Sequence, residues 1–158
     1  MTRIEITGVV EGWKLVLSQD RIISIIDDEV DITELFQDAI CANIAGVKVI
    51  TFNDPVIALE HFTDNKENYA LVISDLRMPN LNGMELLKKM KKLNEKVRTI
   101  LISAFEIEND IAFQHYLKLG IINSFIKKPV TINQLCLIIQ HECEEPRMEV
   151  SEKLKWKV

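Results

Sequence analysis

From Arg21 onward, short apolar runs alternate with stretches in which apolar residues recur every three or four positions. That alternation predicts a parallel sheet covered by helices on both faces. The runs Ile22–Ile26, Val47–Phe52, Ala70–Ser74, Val97–Ser103 and Ile121–Ile126 read as strands. Between the first two, Ile32, Leu35, Phe36, Ala39 and Ile40 fall at helical spacing, and Gly46 is placed to take the left-handed position that closes a helix. Asp54 before Pro55 sets a capping side chain ahead of a residue whose fixed φ suits a helix start, with Leu59 and Phe62 as the buried face. A third helix turns Leu86, Leu87, Met90 and Leu93 inward and its lysines outward; those lysines read as a solvated face rather than a phosphate-binding patch. A fourth helix is expected from Ile107 to Leu119, closed by Gly120, and a fifth from a Thr131 cap with Leu135, Ile138 and Ile139 buried. Right-handed crossovers bring the carboxyl ends of such strands to one edge, where open α/β sheets place their ligands.

The ends follow a different pattern. Ile4 and Ile6, then Trp13, Leu15 and Leu17, alternate with polar residues, so residues 1–20 read as an extension that forms a hairpin around Gly8 or Gly12. Residues 146–158 read as a charged tail in which Leu154, Trp156 and Val158 alternate, leaving 21–145 as the folded domain. No repeat or low-complexity tract points to a second domain.

Composition narrows the class. The chain has 158 residues, 47% hydrophobic and 27% charged, with 5 Gly and 4 Pro, which fits one globular domain and excludes a disordered or fibrous chain. Its net charge is −5 and its only basic run is Lys88–Lys92, so a direct nucleic-acid surface is not expected. Cys41, Cys136 and Cys143 include no C-x-x-C pair. Cys136 and Cys143 share one expected helix, about 10 Å apart along its axis, beyond the roughly 7 Å that a disulfide spans between Cα atoms. Reduced thiols, no secretory leader and no apolar run of the roughly 18 residues that span a membrane lead to the expectation of a cytoplasmic protein with no membrane contact.

Chemistry gathers at the strand ends. Asp27 and Asp28 follow the first strand, Asp75 the third, Ser103 ends the fourth, and Lys128 with Pro129 follows the fifth. Two carboxylates 4 Å apart repel by about 4 kcal/mol at an effective dielectric near 20. A hard divalent cation with oxygen ligands would compensate, and Mg²⁺ takes one or two carboxylates while keeping several waters. Lys128 adds a mobile point charge suited to a phosphoryl or carboxylate oxygen. An aspartate pair alone reads equally as a solvated turn, and Asp28 as the cap of the first helix.

The segments Ile25–Glu29, Leu71–Gly83, Leu101–Ala104 and Phe125–Pro129 together resemble the receiver domain of two-component response regulators, of the chemotaxis-regulator type, over Arg21 to Cys143. The resemblance implies a flavodoxin-like (βα)5 doubly wound parallel sheet of strand order 2-1-3-4-5. It makes Asp75 the phosphoacceptor, Asp28 a direct Mg²⁺ ligand, Asp27 a ligand mainly through water, and the Arg77 backbone carbonyl a further ligand. It gives Lys128 a phosphoryl oxygen to bind, a cis bond to Pro129, a switch pair in Ser103 and Phe125, and a pocket rim of Ala104, Phe105 and Arg77. It implies a signalling protein rather than an enzyme, assisting only its own phosphotransfer and autodephosphorylation. The phosphoryl donor would be a sensor histidine kinase or histidine phosphotransfer protein. Output would pass to a downstream protein, or to a second copy in a homodimer, through the fourth helix, fifth strand and fifth helix. Phe113, Tyr116 and Leu117 crowd that fourth helix, so one of them is expected to face a partner unless all pack inward. The stretch from Ser103 to Lys128 is longer than the family's commonest pattern, which puts that helix in question. A phosphorylation-independent interaction module is the alternative. A hydrolase would want a carboxylate where Arg77 stands, and a flavin carrier a neutral loop where Asp27, Asp28 and Glu29 stand.

Overall fold

The structure, a computed structural model, describes the backbone of residues 5–9 and 12–155, with side chains over residues 21–143. In chain order its elements are β1 (Glu5–Val9), β2 (Gly12–Ile26), α1 (Val30–Asn43), β3 (Ile44–Phe52), α2 (Pro55–Asn65), β4 (Tyr69–Asp75), α3 (Gly83–Leu93), β5 (Arg98–Ser103), α4 (Ile111–Lys118), β6 (Ser124–Lys127) and α5 (Ile132–Lys155). Five strands run parallel in the order β3-β2-β4-β5-β6, which is 2-1-3-4-5 when those five alone are counted.

Alternation within each central strand decides which helix it meets. Ile22, Ile26, Val72 and Leu101 pack with Ala58 and Phe62 of α2, Leu86, Leu87 and Met90 of α3, and Phe113 and Tyr116 of α4. The intervening Ile23, Ile25, Leu71, Ile73, Ile100 and Ile102 face Phe36 and Ile40 of α1 and Leu135 and Ile139 of α5. Both faces of the sheet are therefore dry, and each fully buried Ile or Leu contributes about 1.5–3 kcal/mol against exposure.

Local signals start the helices as expected at two places. Asp54 accepts from the Val56 amide at 2.9 Å ahead of Pro55 at the start of α2. Thr131 accepts from the Gln134 amide at 3.1 Å while Gln134 reaches back to the Thr131 amide at 3.0 Å, a reciprocal cap on α5. Gly46 corrects the sequence reading. α1 already ends at Asn43, and Gly46, at φ 76°, lies inside β3 where the register against β2 slips between Val16 and Arg21. Its left-handed freedom serves a bulge rather than a helix cap. α4 is also shorter than expected, because residues 104–110 form a loop before its Asp110 cap. On α4, Phe113 and Tyr116 are buried and Leu117 is half-buried, while Ile111 at its start and Leu119 just past its end are large apolar residues left exposed.

β1 pairs antiparallel with the first part of β2 from Glu5 opposite Val16 to Val9 opposite Gly12. The expected hairpin pairing is thus present, and β2 continues without a break into the core strand. At the other end α5 carries on through residues 146–155, which the sequence reads as tail; the alternation at Trp156 and Val158 lies outside the described residues. Cys41, Cys136 and Cys143 form no disulfide among the described residues, and among the same residues no helix is long and apolar enough to cross a membrane.

The amino edge of the sheet is tied by polar groups. Glu142, 1% exposed on α5, accepts from Arg98 Nε at 2.8 Å and from the Ser124 hydroxyl. Beside it Lys91 Nζ donates to the Val97 carbonyl and, at 2.9 Å, to Asn123 Oδ1, which also accepts from the Thr99 amide at 2.9 Å. Burial, with the Arg98 charge adding to it, brings the Lys91 ammonium down to about 8.

Candidate functional site

The parallel strands end in step. Ile26 stands opposite Phe52 and Ser74, Asp75 opposite Ile102, and Ser103 opposite Lys127. Residues at or just past those ends share one rim, so Asp27, Asp28, Asp75, Ser103 and Lys128 meet despite a separation of 101 positions between Asp27 and Lys128.

Carboxylate oxygens of Asp27, Asp28 and Asp75 lie within 4.8 Å of one another. Asp27 is buried, Asp75 half-buried and Asp28 exposed. The Lys128 ammonium bridges two of them, 3.1 Å from Asp75 Oδ1 and 3.2 Å from Asp27 Oδ2. Burial pushes the Asp75 carboxyl above the usual carboxylate range; the Lys128 hydrogen bond opposes that push, and the Asp27 and Asp28 charges add to it. Burial alone would lower the Lys128 ammonium, but its contacts with Asp75 and Asp27 outweigh burial and hold it above its ordinary value. Three carboxylates against one ammonium leave a surplus of negative charge on a partly desolvated rim. An all-oxygen donor set of this size and charge fits a hard divalent cation of the Mg²⁺ type.

Asp27 is held at every polar atom. Its amide donates to the Phe52 carbonyl at 3.1 Å, its Oδ1 accepts from the Glu29 amide at 2.9 Å, and its Oδ2 meets Lys128. Its carbonyl accepts from Asn53 Nδ2 at 2.8 Å, and the same amide reaches Thr33 Oγ1 at 3.2 Å. Asp28 is not a helix cap: α1 starts at Val30 after Glu29, without a side-chain cap bond. Its carboxylate belongs to the acidic rim.

Beyond Asp75 the chain turns sharply under the rim. The Leu76 amide donates to the Ile102 carbonyl at 2.9 Å, Asn80 adopts φ 73°, and the Gly83 amide donates to the Leu76 carbonyl at 2.7 Å. A Cβ on Gly83 would sit 2.2 Å from the Asp75 carbonyl oxygen and 2.9 Å from Leu101 Cδ1, so α3 begins where only glycine fits. Arg77, exposed on this loop, places its guanidinium carbon 3.5 Å from the centroid of the Phe105 ring. Phe105 and Ala104 are both exposed on the loop that follows β5.

Ser103, 1% exposed, accepts from the Phe105 amide through Oγ at 3.0 Å, while its carbonyl accepts from the Lys128 amide at 2.8 Å. The Lys128–Pro129 bond is cis. Phe125 is half-buried, its ring edge-to-face with Phe113 of α4 at 5.0 Å between centroids. Two further contacts carry no obvious sequence signal. One is the Asn53 amide on Asp27, whose only hint is a polar residue between strand end and Asp-Pro cap. The other is the Tyr116 hydroxyl donating to Glu85 Oε1 at 2.8 Å, which joins α4 to the first turn of α3.

A family profile described as the response regulator receiver domain matches residues 23–140. The chain is 32% identical to sporulation initiation phosphotransferase F of Bacillus subtilis over 113 residues, covering 72% of this chain and 86% of that one. It spans only 29%, 26% and 48% of three longer curated relatives. Among solved structures, a response regulator receiver domain protein of Clostridium thermocellum superposes with a TM-score of 0.71 at 26% identity, covering 81% of this chain and 98% of that one. A response regulator protein of Thermotoga maritima, in complex with Mg²⁺–BeF, superposes with a TM-score of 0.66 at 24% identity, covering 77% and 98%.

Proposed function

The chain belongs to the response regulator receiver domain family, and from that premise we propose that it accepts a phosphoryl group on Asp75. The cation would be Mg²⁺, held by Asp27, Asp28, Asp75 and the backbone carbonyl of Arg77. Receiver domains are signalling domains that bind Mg²⁺ at an acidic pocket and work with histidine kinases or phosphotransfer proteins. The observation that carries the reading here is the meeting of three carboxylates within 4.8 Å with Lys128 on two of them.

An Asp75 carboxylate oxygen attacks the phosphorus of a donor phosphohistidine in line; the new O–P bond forms as the P–N bond breaks, and the imidazole leaves. Bound Mg²⁺ supplies charge neutralisation for the transferring group. Lys128 then exchanges Asp75 Oδ1 for a phosphoryl oxygen, keeping Asp27 as its second partner. Ser103 leaves the Phe105 amide to donate to the phosphoryl group, and Phe125 turns inward, releasing its packing on Phe113. A charge at Asp75 thus becomes a change of surface on α4, β6 and α5. Exposed Ile111 and Leu119 of α4 and Leu137 of α5 supply apolar contact for a downstream protein or a second copy. The rim stack of Arg77 and Phe105 limits water and prolongs the phosphorylated state.

In this reading residues 21–145 are the receiver unit, 1–20 and 146–158 are extensions, and the protein works in the cytoplasm by protein contact, without touching nucleic acid or membrane. Mass spectrometry of the chain after acetyl phosphate treatment, with and without Mg²⁺, tests it. A single phosphoryl adduct on Asp75 that requires the ion is expected. An unlabelled chain in Mg²⁺ would favour an interaction module that acts without phosphorylation.

A further inference from the structure

Asp28, exposed at the acidic rim, is set in place by the peptide that joins it to Asp27. The oxygen of that peptide is the Asp27 carbonyl, and its side-chain partner is Asn53 Nδ2 at 2.8 Å. The preceding peptide is fixed from the next-door residue, since the Asp27 amide donates to the Phe52 carbonyl at 3.1 Å. Successive residues at the end of β3 therefore clamp successive peptide planes at the end of β2. The second amide proton of Asn53 goes to Thr33 Oγ1 at 3.2 Å, and Thr33 in turn donates to the Val30 carbonyl at 2.9 Å, which ties the same turn to the start of α1. Both Nδ2 protons are used, and neither bond touches the carboxylates themselves.

We propose that Asn53 is a positioning residue for the divalent cation, acting on the metal site through the Asp27–Asp28 peptide. The inference rests on the acidic rim being the Mg²⁺ site. Without the amide, that peptide rotates more freely, and Asp28 spends less time facing Asp75 and Asp27. The Asp27 side chain keeps its Glu29 and Lys128 partners, so the loss falls on Asp28. Asn53 is exposed and lies outside both hydrophobic clusters, so its removal leaves the fold intact.

The test compares the full-length chain with Asn53→Ala and with Asn53→Ser, whose hydroxyl ends one bond short of the amide nitrogen. Mg²⁺ affinity is read by isothermal titration calorimetry, thermal unfolding in EDTA, and acetyl phosphate labelling rate across a Mg²⁺ series. Both variants should bind Mg²⁺ about tenfold more weakly, as loss of an outer-shell partner commonly does. The Mg²⁺ needed for half-maximal labelling should rise by the same factor, with the rate at saturating Mg²⁺ unchanged and the metal-free melting temperature lowered by a few degrees, as loss of one or two hydrogen bonds brings. Variants that match the wild type in Mg²⁺ affinity would overturn the role of Asn53 alone. A wild-type chain that binds no Mg²⁺ would remove the metal site and this inference with it.

Discussion

The Arg77 guanidinium stacks on the Phe105 ring, 3.5 Å from its centroid, and so joins the loops that follow β4 and β5. Because both residues are exposed, such a cation–π contact is worth about 0.5–1 kcal/mol. That is enough to bias the two loops toward each other without locking them, and in the proposed function the stack limits the access of water to Asp75.

Removing the ring should therefore shorten the life of the acyl phosphate. Phe105→Ala is expected to lose its phosphoryl adduct about two- to fivefold faster than the wild type, the factor that corresponds to the contact energy. Mass spectrometry at timed intervals after removal of the donor reads this directly. Slower loss in the variant would mean that the stack admits water instead of holding it off.

Asp75→Asn should abolish labelling while strengthening the metal-free fold. The variant removes one of three crowded negative charges and leaves Lys128 with Asp27 as its partner, 3.2 Å away. Relief of about 1 kcal/mol corresponds to a rise in melting temperature of about 3 °C for a chain of this size. Saturating Mg²⁺ should narrow the gap by stabilising the wild type more. A variant that melts below the wild type in EDTA would show that the carboxylates do not strain the rim.

Tyr116→Phe keeps the ring in the core and deletes only the bond to Glu85. The expected cost is about 1 kcal/mol, concentrated in amide exchange over residues 111–118, with β4 protection unchanged. Uniform exchange changes, or none in α4, would deny that this bond sets the position of α4.

Lys91 gives a pH signature. Its folded-state value, about 8, lies below its ordinary 10.5, so between those values the unfolded chain binds more protons than the folded one. Stability from this group therefore rises as pH increases through that window, and below it the buried charge costs stability. Compared with Lys91→Met, the wild type should gain in urea resistance on going from below to above that lower value. Parallel pH profiles for the two proteins would mean that Lys91 keeps its ordinary titration.

Much of this is legible in the amino-acid sequence. Each central strand is a short apolar run that stops at a residue with a charge or a hydroxyl, and parallel connectivity alone brings Asp27, Asp75, Ser103 and Lys128 to one edge. Gly46 misled because a left-handed glycine serves a bulge as readily as a helix end. The start of α4 was overextended because Ile107, which packs against the core from the loop, mimics a helical position. The Asn53 and Tyr116 bonds join residues 26 and 31 positions from their partners, through single side-chain groups that leave no periodic trace.

Gly83 has a consequence for how this rim can evolve. Its bare Cα lets the backbone under Asp75 close to a distance that a methyl group would occupy. Even alanine there would act as a wedge beneath Asp75, lifting its carboxylate away from its neighbours while every charged group stayed in the sequence. Such a chain would keep all the recognisable acids of its family and still fall silent.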